Sequence, residues 1–327
     1  MKAPSDAVGG SSVTARPTVW LDADPGHDDV FAILVALART ELLGISVVSG
    51  NAPLEACVRN ALVTLQLAGA EQVPVHEGAP QPLERPPHYA PHIHGDSGLD
   101  GPKLPPVRLT PSPTAAVPAI LTAAETHDDL WLVATGPLTN VALALQAEPG
   151  LAKRLAGISL MGGSYSFGNI TPVAEFNIWA DPEAAAAVFE SGARLKMAGL
   201  DVTHQFLITA ARRAAVRAIG GRLADFAADL LEYFSQAYAK NFGVPAAGPL
   251  HDPCAVLAVS DPEMFEASDY HVAIETTSDL TRGQTIVDRR PGGILNRKTN
   301  AAVLERIADD AAFTAVVAAI AERSRRS

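Results

Sequence analysis

Short apolar runs alternate with longer segments of helical length along most of the 327-residue chain. The first such unit predicts a buried strand over residues 18–22, a helix over residues 28–38 and a second strand over residues 43–49. Strands joined through a helix in this way are parallel, and the crossover between them is right-handed. The sequence therefore predicts an α/β fold with a mostly parallel sheet.

The same alternation continues to the end of the chain and defines the remaining predicted elements. Further strands are predicted over residues 72–75, 130–134, 157–161, 195–199, 270–275 and 284–287. Further helices are predicted over residues 54–67, 114–126, 138–145, 182–190, 209–219, 223–240, 251–260 and 309–323. No internal repeat or low-complexity linker interrupts the pattern. We therefore predict one domain over residues 18–327, with helices flanking a central sheet, after a flexible N-terminal tail over residues 1–17.

A segment rich in glycine and proline, residues 78–113, carries no regular pattern. Irregular segments of this length are usually functional or disordered. Its centre, residues 93–101 (IHGDSGLDG), combines polar side chains with glycines and does not resemble a spacer. We predict that this centre forms a mobile flap over a site.

Composition limits the class of protein. Hydrophobic residues make up 48% of the chain and charged residues 19%, which permits a large buried core. The net charge of −11 argues against binding to nucleic acid, which requires clustered lysine and arginine. No secretion signal and no apolar run of about 18 residues is present, so we predict a cytoplasmic protein without a membrane segment. The two cysteines, Cys57 and Cys254, form no CxxC pair and support neither a disulfide framework nor a zinc site.

The most informative motif follows the first predicted strand, where four aspartates, Asp22, Asp24, Asp28 and Asp29, lie within eight residues. Two like charges 4 Å apart repel by roughly 4 kcal/mol at an effective dielectric constant of about 20. A turn or a helix N-cap requires only one or two aspartates, although Asp is common in both roles. The cluster therefore predicts a bound cation.

Other polar residues follow further predicted strands, and ligands of parallel sheets bind beyond the carboxyl ends of the strands. Asn51, Thr135, Gly162 and Asp201 occupy such positions, so we expect these residues to converge on one edge of the sheet. The sequence contains no GxxxxGK[ST] loop, and no GxGxxG motif opens the first helix, so neither a nucleoside triphosphate nor a dinucleotide is indicated.

The candidate cation ligands are carboxylate, amide and carbonyl oxygens, a set that suits Ca²⁺ better than Mg²⁺ when the site is flexible. His251, Asp252 and Pro253 add a carboxylate and an imidazole near the start of a predicted helix. A purely structural interpretation also exists, in which Asp252 caps the helix and Pro253 occupies its first position.

Taken together, these motifs resemble the inosine-uridine type nucleoside hydrolases. The resemblance covers residues 18–320, and its blocks follow the order found in that family. The blocks are residues 22–29 (DADPGHDD), 48–51 (VSGN), 93–95 (IHG), 134–140 (ATGPLTN), 161–163 (MGG), 174–177 (AEFN) and 251–253 (HDP). The resemblance implies a nucleoside hydrolase-like, Rossmann-like fold and a homodimer or homotetramer. It also implies Ca²⁺-dependent hydrolysis of ribonucleosides to ribose and free base.

The resemblance also implies a role for each matching residue. The carboxylates of Asp24, Asp29 and Asp252 and the backbone carbonyl of Thr135 would bind calcium, with Asp22 supporting them from behind. Asp24 would also act as general base on a metal-bound water molecule, and His251 would lie on the side of the leaving base. The substrate-binding residues would be Asp28, Asn51, Asn169, Glu175 and Asn177 on the ribose hydroxyls, Met161 in the ribose pocket, and His94 on the flap.

Aromatic contacts to the base are expected from the helix before His251. Tyr233, Phe234, Tyr238 and Phe242 are the candidates, with core packing as the alternative for each; Tyr238 is our choice. The presence of His251, rather than a tryptophan nearby, resembles the branches of the family that prefer inosine and uridine, or pyrimidines, more than it resembles the purine-specific branch.

Two other functions remain open at this stage. A haloacid-dehalogenase-like phosphatase also has a DxD motif after its first strand, as Asp22 and Asp24 would form here, but residues 25–29 and the HDP block fit that family poorly. A non-catalytic protein that binds a nucleoside or sugar together with a metal would keep the ribose contacts and could lose the base. Asp24 is present, which favours catalysis.

Overall fold

A single sheet of nine strands organises the computed structural model, which describes residues 16–243, 247–290 and 297–326. The strands are β1 (Thr18–Ala23), β2 (Glu41–Val47), β3 (Val75–Glu77), β4 (Trp131–Ala134), β5 (Gly157–Met161), β6 (Leu195–Ala198), β7 (Phe265–Ile274), β8 (Thr285–Asp288) and β9 (Ala301–Ile307). Their order across the sheet is β3-β2-β1-β4-β5-β6-β9-β7-β8. The pairs from β3 to β9 are parallel, whereas β7 is antiparallel to both β9 and β8. The predicted α/β fold with a mostly parallel sheet is confirmed.

Helices cover both faces of this sheet. They are α1 (His27–Arg39), α2 (Leu54–Leu67), α3 (Pro91–His94), α4 (Ala116–Thr126), α5 (Thr139–Ala147), α6 (Leu151–Arg154), α7 (Phe176–Ala180), α8 (Pro182–Glu190), α9 (Leu200–Thr203), α10 (Ala210–Ile219), α11 (Arg222–Phe242), α12 (Pro253–Ser260) and α13 (Asp309–Ser324). One hydrophobic core includes buried residues of α1, α2, α11, α12 and α13, and a second includes those of α4, α5 and α8. No helix of the described ranges is long and apolar enough to cross a membrane.

The pattern of apolar positions located most of the buried elements, although the strand predicted over residues 72–75 shares only residue 75 with β3. The bounds of α2, β5 and α8 agree with the prediction at both ends, because turn residues flank each of these segments.

The strand β9 was not predicted. It begins with two alanines and contains a Glu–Arg pair, residue types that are depleted in strands. Its strand conformation comes from its neighbours, since it pairs with β6 on one side and β7 on the other.

Residues 91–101, here called the flap, form a compact turn within the long irregular segment. The flap contains α3 and three glycines with positive φ, at residues 95, 98 and 101. The Asp100 carboxylate accepts hydrogen bonds from the backbone N–H groups of Asp96 (3.3 Å) and Ser97 (3.2 Å). A Cβ atom at Gly95 would lie 2.1 Å from the Asp100 carboxyl group, so this turn requires glycine. The predicted mobility of the flap stays a prediction.

The predicted N-terminal tail falls mostly outside the described residues, since residues 1–15 are not among them.

Candidate active site

Several predicted site residues lie at the carboxyl edge of the sheet because they follow neighbouring parallel strands. Asp24 directly follows β1, and helix α1 begins three residues later, with Asp28 and Asp29 in its first turn. Thr135 directly follows β4, and Met161 is the last residue of β5. Asp201 also follows a strand but does not line the site. Its carboxylate accepts hydrogen bonds from Ser164 Oγ (3.0 Å) and the Tyr165 backbone N–H (2.8 Å).

Four carboxylates meet at this edge, although Asp252 comes from a distant part of the sequence. Asp28, Asp29 and Asp252 each offer an oxygen, and these oxygens lie within 4.8 Å of one another. Asp24 lies beside this group, and all four side chains are buried. The structure therefore brings together the aspartates that the sequence analysis assigned to cation and ribose binding.

Burial and mutual repulsion strongly disfavour the charged form of this cluster. Loss of water, followed by repulsion from Asp29, raises the pKa of Asp28 to about 8. Burial also raises the pKa of Asp29 to about 6, and it raises the pKa values of Asp24 and Asp252 well above the usual range. Repulsion among the four carboxylates adds to these shifts. A bound cation would compensate both effects, because its charge attracts the ionised carboxylates.

Hydrogen bonds hold carboxylates of this cluster in place. Asp29 accepts bonds from the Gly26 backbone N–H (2.9 Å) and from Thr135 Oγ1 (2.8 Å). Asp24 Oδ2 accepts a bond from the Asn51 backbone N–H at 2.7 Å, whereas Asp24 Oδ1 is buried and has no hydrogen-bond partner in the described residues. An unpaired buried carboxylate oxygen costs free energy unless another group, such as a cation, interacts with it.

The structural interpretation of the HDP block is not supported. Asp252 occupies the N-cap position of α12 with Pro253 next to it, but its side chain makes no capping hydrogen bond. At α1 the N-cap residue is Gly26, and Asp29 accepts its backbone N–H at 2.9 Å, so one aspartate of the motif does serve the start of the helix. Since the carboxylate of Asp252 has no capping role, it is available to a cation.

Asp22 and Asn177 both contact Thr135, which in turn contacts Asp29. Asp22 is fully buried, where it accepts hydrogen bonds from Ser46 Oγ and from Asn140 Nδ2 (2.8 Å). Its backbone carbonyl accepts the Thr135 N–H at 2.8 Å. The Thr135 carbonyl in turn accepts a bond from Asn177 Nδ2 at 2.8 Å, which leaves one of its two lone pairs for a cation.

A second wall of the site consists of residues 161–177. Glu175 is the N-cap residue of α7, and it accepts bonds from the backbone N–H groups of Asn177 (2.8 Å), Ile178 (3.1 Å) and Gly163 (2.9 Å). Burial nevertheless raises the pKa of Glu175 to about 7. Asn169 Oδ1 accepts the Phe176 N–H at 2.9 Å, so its amide group remains as a donor toward the pocket.

The opposite wall carries imidazole and hydroxyl groups. His251 lies between two hydroxyls, with Nδ1 2.7 Å from Thr203 Oγ1 and Nε2 2.8 Å from the Tyr238 hydroxyl. The ring of His204 approaches His251 edge-on at 5.4 Å between centroids. Burial lowers the pKa of His251 well below its usual value, with a smaller contribution from His204.

These walls enclose one pocket with an empty volume of about 560 Å³. Predicted site residues that line it are Asp28, Asn51, His94, Thr135, Met161, Asn169, Glu175, Asn177, Tyr238, His251 and Asp252. Asp24 and Asp29 lie behind this lining. Of the aromatic candidates, Phe234, Tyr238 and Phe242 line the pocket, whereas Tyr233 stacks on His27 instead.

Sequence analysis missed two residues next to this pocket. Thr203 contacts His251 although 48 positions separate them, and no motif marks that hydroxyl. His27 contacts His94 across 67 positions. The position of His27 among four aspartates could have indicated a function. It was overlooked because a bound cation already explained the aspartates and required no histidine.

Comparison with known proteins identifies the family. The sequence matches the family described as inosine-uridine preferring nucleoside hydrolases over residues 19–315. Among curated relatives, the pyrimidine-specific ribonucleoside hydrolase RihA of Enterobacter sp. (strain 638) is 45% identical over 274 residues, which cover 83% of this chain and 87% of that protein. RihA of Shewanella sp. (strain MR-7) is 43% identical over 294 residues, covering 89% of this chain and 91% of that protein.

Solved structures agree with these sequence matches. A purine-preferring ribonucleoside hydrolase from Gardnerella vaginalis superposes with a TM-score of 0.89 at 30% identity, over 95% of this chain and 100% of that chain. The resemblance noted from the motifs is thereby confirmed, and the phosphatase alternative is set aside. The chain belongs to the inosine-uridine preferring nucleoside hydrolase family and is a ribonucleoside hydrolase, an enzyme that acts on N-glycosyl bonds.

Proposed function

We propose that the enzyme hydrolyses pyrimidine ribonucleosides to ribose and free base in a calcium-dependent reaction in which Asp24 activates the attacking water. The observation that carries this proposal is the buried cluster of four carboxylates at one end of the pocket, with Asp24 Oδ1 unpaired. The opposite wall presents His251 and Tyr238 to the leaving base.

The donor atoms present fit calcium. Asp24, Asp29 and Asp252 would bind the ion through carboxylate oxygens, and Thr135 would bind it through its backbone carbonyl. All of these are hard oxygen ligands, and Ca²⁺ accepts six to eight of them. When bound, calcium would supply positive charge that lowers the pKa of a nearby water molecule.

Asp24 is the residue proposed to take the proton from the attacking water. One of its oxygens would bind the cation and the other would take the proton; the Asn51 backbone N–H orients Oδ2, and Oδ1 has no partner among the described residues. A correctly placed general base contributes roughly 10²–10⁴ in rate.

Glu175, Asn177, Asn169 and Asp28 line the part of the pocket where ribose would bind. Their carboxylate and amide groups match the hydroxyls of a pentose. The transition state of glycosidic cleavage resembles an oxocarbenium ion, so nearby carboxylates stabilise its positive charge. Ribose hydroxyls next to the cation site would favour ribonucleosides over 2′-deoxyribonucleosides.

The preference for pyrimidines is supported by the relatives. The RihA proteins that are 42–45% identical to this chain carry the name pyrimidine-specific, whereas the purine-preferring Gardnerella vaginalis enzyme is 30% identical. A cytoplasmic location and a homodimeric or homotetrameric assembly remain predictions from the sequence analysis.

The test is a reducing-sugar assay over uridine, cytidine, inosine, adenosine and 2′-deoxyuridine, run with calcium and with a chelator. We expect ribose release from uridine and cytidine, at least tenfold less from purine nucleosides, and none with 2′-deoxyuridine or the chelator. Release that is insensitive to the chelator would contradict the calcium dependence. Binding of uridine without any ribose release would instead support the non-catalytic alternative.

A further inference from the structure

His27 lies in the centre of the aspartate motif, and the proposed reaction gives it no role. Its side chain is only 1% exposed, and its ring stacks on Tyr233 with 5.1 Å between centroids and 8° between ring planes. Phe234, which lines the pocket, stacks on the same ring at 5.8 Å. His27 also has two polar contacts with the flap, which suggests a function beyond packing.

The first contact determines where the proton of His94 lies. The backbone N–H of His27 donates a hydrogen bond to His94 Nδ1 at 3.2 Å. A backbone N–H can only donate, so Nδ1 of His94 must be the unprotonated nitrogen. A neutral imidazole carries one proton, and that of His94 therefore lies on Nε2. His94 lines the pocket, and its Nε2 has no hydrogen-bond partner among the described residues.

The second contact joins the ring of His27 to the end of the flap. His27 Nε2 lies 2.8 Å from the backbone carbonyl oxygen of Asp100. A carbonyl only accepts, so Nε2 of His27 carries the proton and donates it. With the protons so assigned, the 3.2 Å approach of His27 Nδ1 to His94 Nδ1 is not a hydrogen bond, because both nitrogens are acceptors.

The flap therefore contacts His27 at two points, His94 and Asp100. Further anchors are made by neighbouring helices, since Asn60 Nδ2 donates to the Ser97 carbonyl (3.0 Å) and Asn241 Nδ2 donates to the His92 carbonyl (2.8 Å). Neither of these anchors contacts the ring of His94, so among the described residues the polar contacts to that ring come from His27.

We propose that His27 is a positioning residue: its side chain holds the flap against the pocket through Asp100, so that the His27 backbone N–H meets His94 and keeps it as the tautomer that offers an Nε2–H donor to a hydrogen-bond acceptor of the bound nucleoside. The proposal rests on the proposed function, because it deepens the role of the same pocket. His27 itself does not contact the substrate in this assignment and acts through His94.

A double-mutant cycle tests whether His27 acts through His94. His27→Leu keeps the backbone N–H and removes the Nε2–H contact with the Asp100 carbonyl, so it tests whether the flap must be held for His94 to act. We expect it to lower kcat/KM for uridine about tenfold in the wild-type background and less than twofold in a His94→Ala background, since residues that act as one unit are not additive. Equal losses in the two backgrounds would overturn the proposal.

His76 provides a matched control for the loss of a buried histidine. Its ring is 7% exposed, and Nδ1 lies 2.8 Å from the Thr114 carbonyl oxygen, outside the pocket. We expect His76→Leu to change kcat/KM by less than twofold. A loss as large as that of His27→Leu would mean that the effect of His27 is general destabilisation.

A measurement without turnover keeps the proposal testable if His27→Leu does not fold. In wild-type enzyme with ¹⁵N-labelled histidine and calcium, long-range ¹H–¹⁵N correlation spectra should assign His94 as unprotonated at Nδ1 and protonated at Nε2. A proton on Nδ1 would contradict the inference. Absence of ribose release by the wild-type enzyme would refute the proposed function, whereas the spectra would still report on His94.

Discussion

The two walls of the pocket are built on different principles. The acidic wall comes mostly from residues after strands β1 and β4, with Asp252 added from the start of α12. Its carboxylates are buried, and backbone N–H groups and Thr135 hold Asp24 and Asp29. The wall facing the leaving base comes from helices α11 and α12 and the flap. Its side chains are aromatic or imidazole groups, and Phe242 is 39% exposed. The order of the strands therefore determines the positions of most residues of the acidic wall. The positions of the residues that face the leaving base depend instead on how separate helices pack.

This difference indicates that the two walls have different functions, one in bond cleavage and the other in the choice of base. Cleavage of the N-glycosidic bond requires charges in fixed positions, and a rigid sheet edge provides them. Discrimination between bases depends on shape and a few hydrogen bonds, and helices and loops can vary these without disturbing the carboxylates. Changes to the acidic wall should therefore affect every substrate, and changes to the other wall should depend on the leaving group.

Removal of calcium should have the largest effect, because the four clustered carboxylates then repel one another without compensation. We expect activity on uridine to fall below detection in a chelator and to return when calcium is added. Binding at a hundredfold excess over the dissociation constant stabilises a protein by about 2.7 kcal/mol. The unfolding entropy is about 2.1 cal/mol/K per residue, so calorimetry should record a melting temperature about 4 °C higher with calcium for a chain of 327 residues. An unchanged melting temperature would argue against a metal among these carboxylates.

Asp24→Asn should have the next largest effect and should not depend on the base. The amide retains the size of the side chain but cannot accept a proton from water, so we expect kcat to fall roughly 10³-fold. Uridine and p-nitrophenyl riboside should lose activity by similar factors. Asp201→Asn is a suitable control, since Asp201 also follows a strand but lies outside the pocket. A rate for Asp24→Asn within tenfold of wild type would refute its role as the base.

The same contrast explains what could be predicted from the sequence. Asp24 and Thr135 were located because parallel strands place their ends together. Asp201 was predicted on the same ground and lies outside the pocket, and Met161 was identified through the family motif alone. Thr203 was missed because its contact with His251 depends on the position of the short helix α9. The pairing of β9 was missed for a similar reason, since its Ala-rich sequence is a strand only between β6 and β7. Patterns in a short stretch of sequence predict the structure of that stretch, whereas these contacts join residues that lie far apart in the sequence.

His251→Ala should affect substrates unequally, because a nucleobase requires a proton when it leaves and p-nitrophenolate does not. We expect kcat/KM to fall roughly 100-fold for uridine and less than fivefold for p-nitrophenyl riboside. His251 Nε2 is paired with the Tyr238 hydroxyl, so Tyr238→Phe should show the same bias to a smaller extent. Equal losses on the two substrates for His251→Ala would exclude a role in proton supply to the base.

Thr203→Val should have the smallest of these effects, and it separates positioning from packing on the base wall. Valine keeps the branched shape of a fully buried side chain but leaves His251 Nδ1 without its partner at 2.7 Å. Loss of one such hydrogen bond costs about 1–3 kcal/mol, so we expect roughly a tenfold loss in kcat/KM for uridine.

Thr203→Ser retains the hydroxyl and should recover most of the activity. If Thr203 orients His251, p-nitrophenyl riboside should be nearly unaffected by either variant. An equal loss on both substrates, or a serine variant as impaired as the valine variant, would mean that Thr203 contributes only to packing, because a cavity beneath His251 does not distinguish between leaving groups.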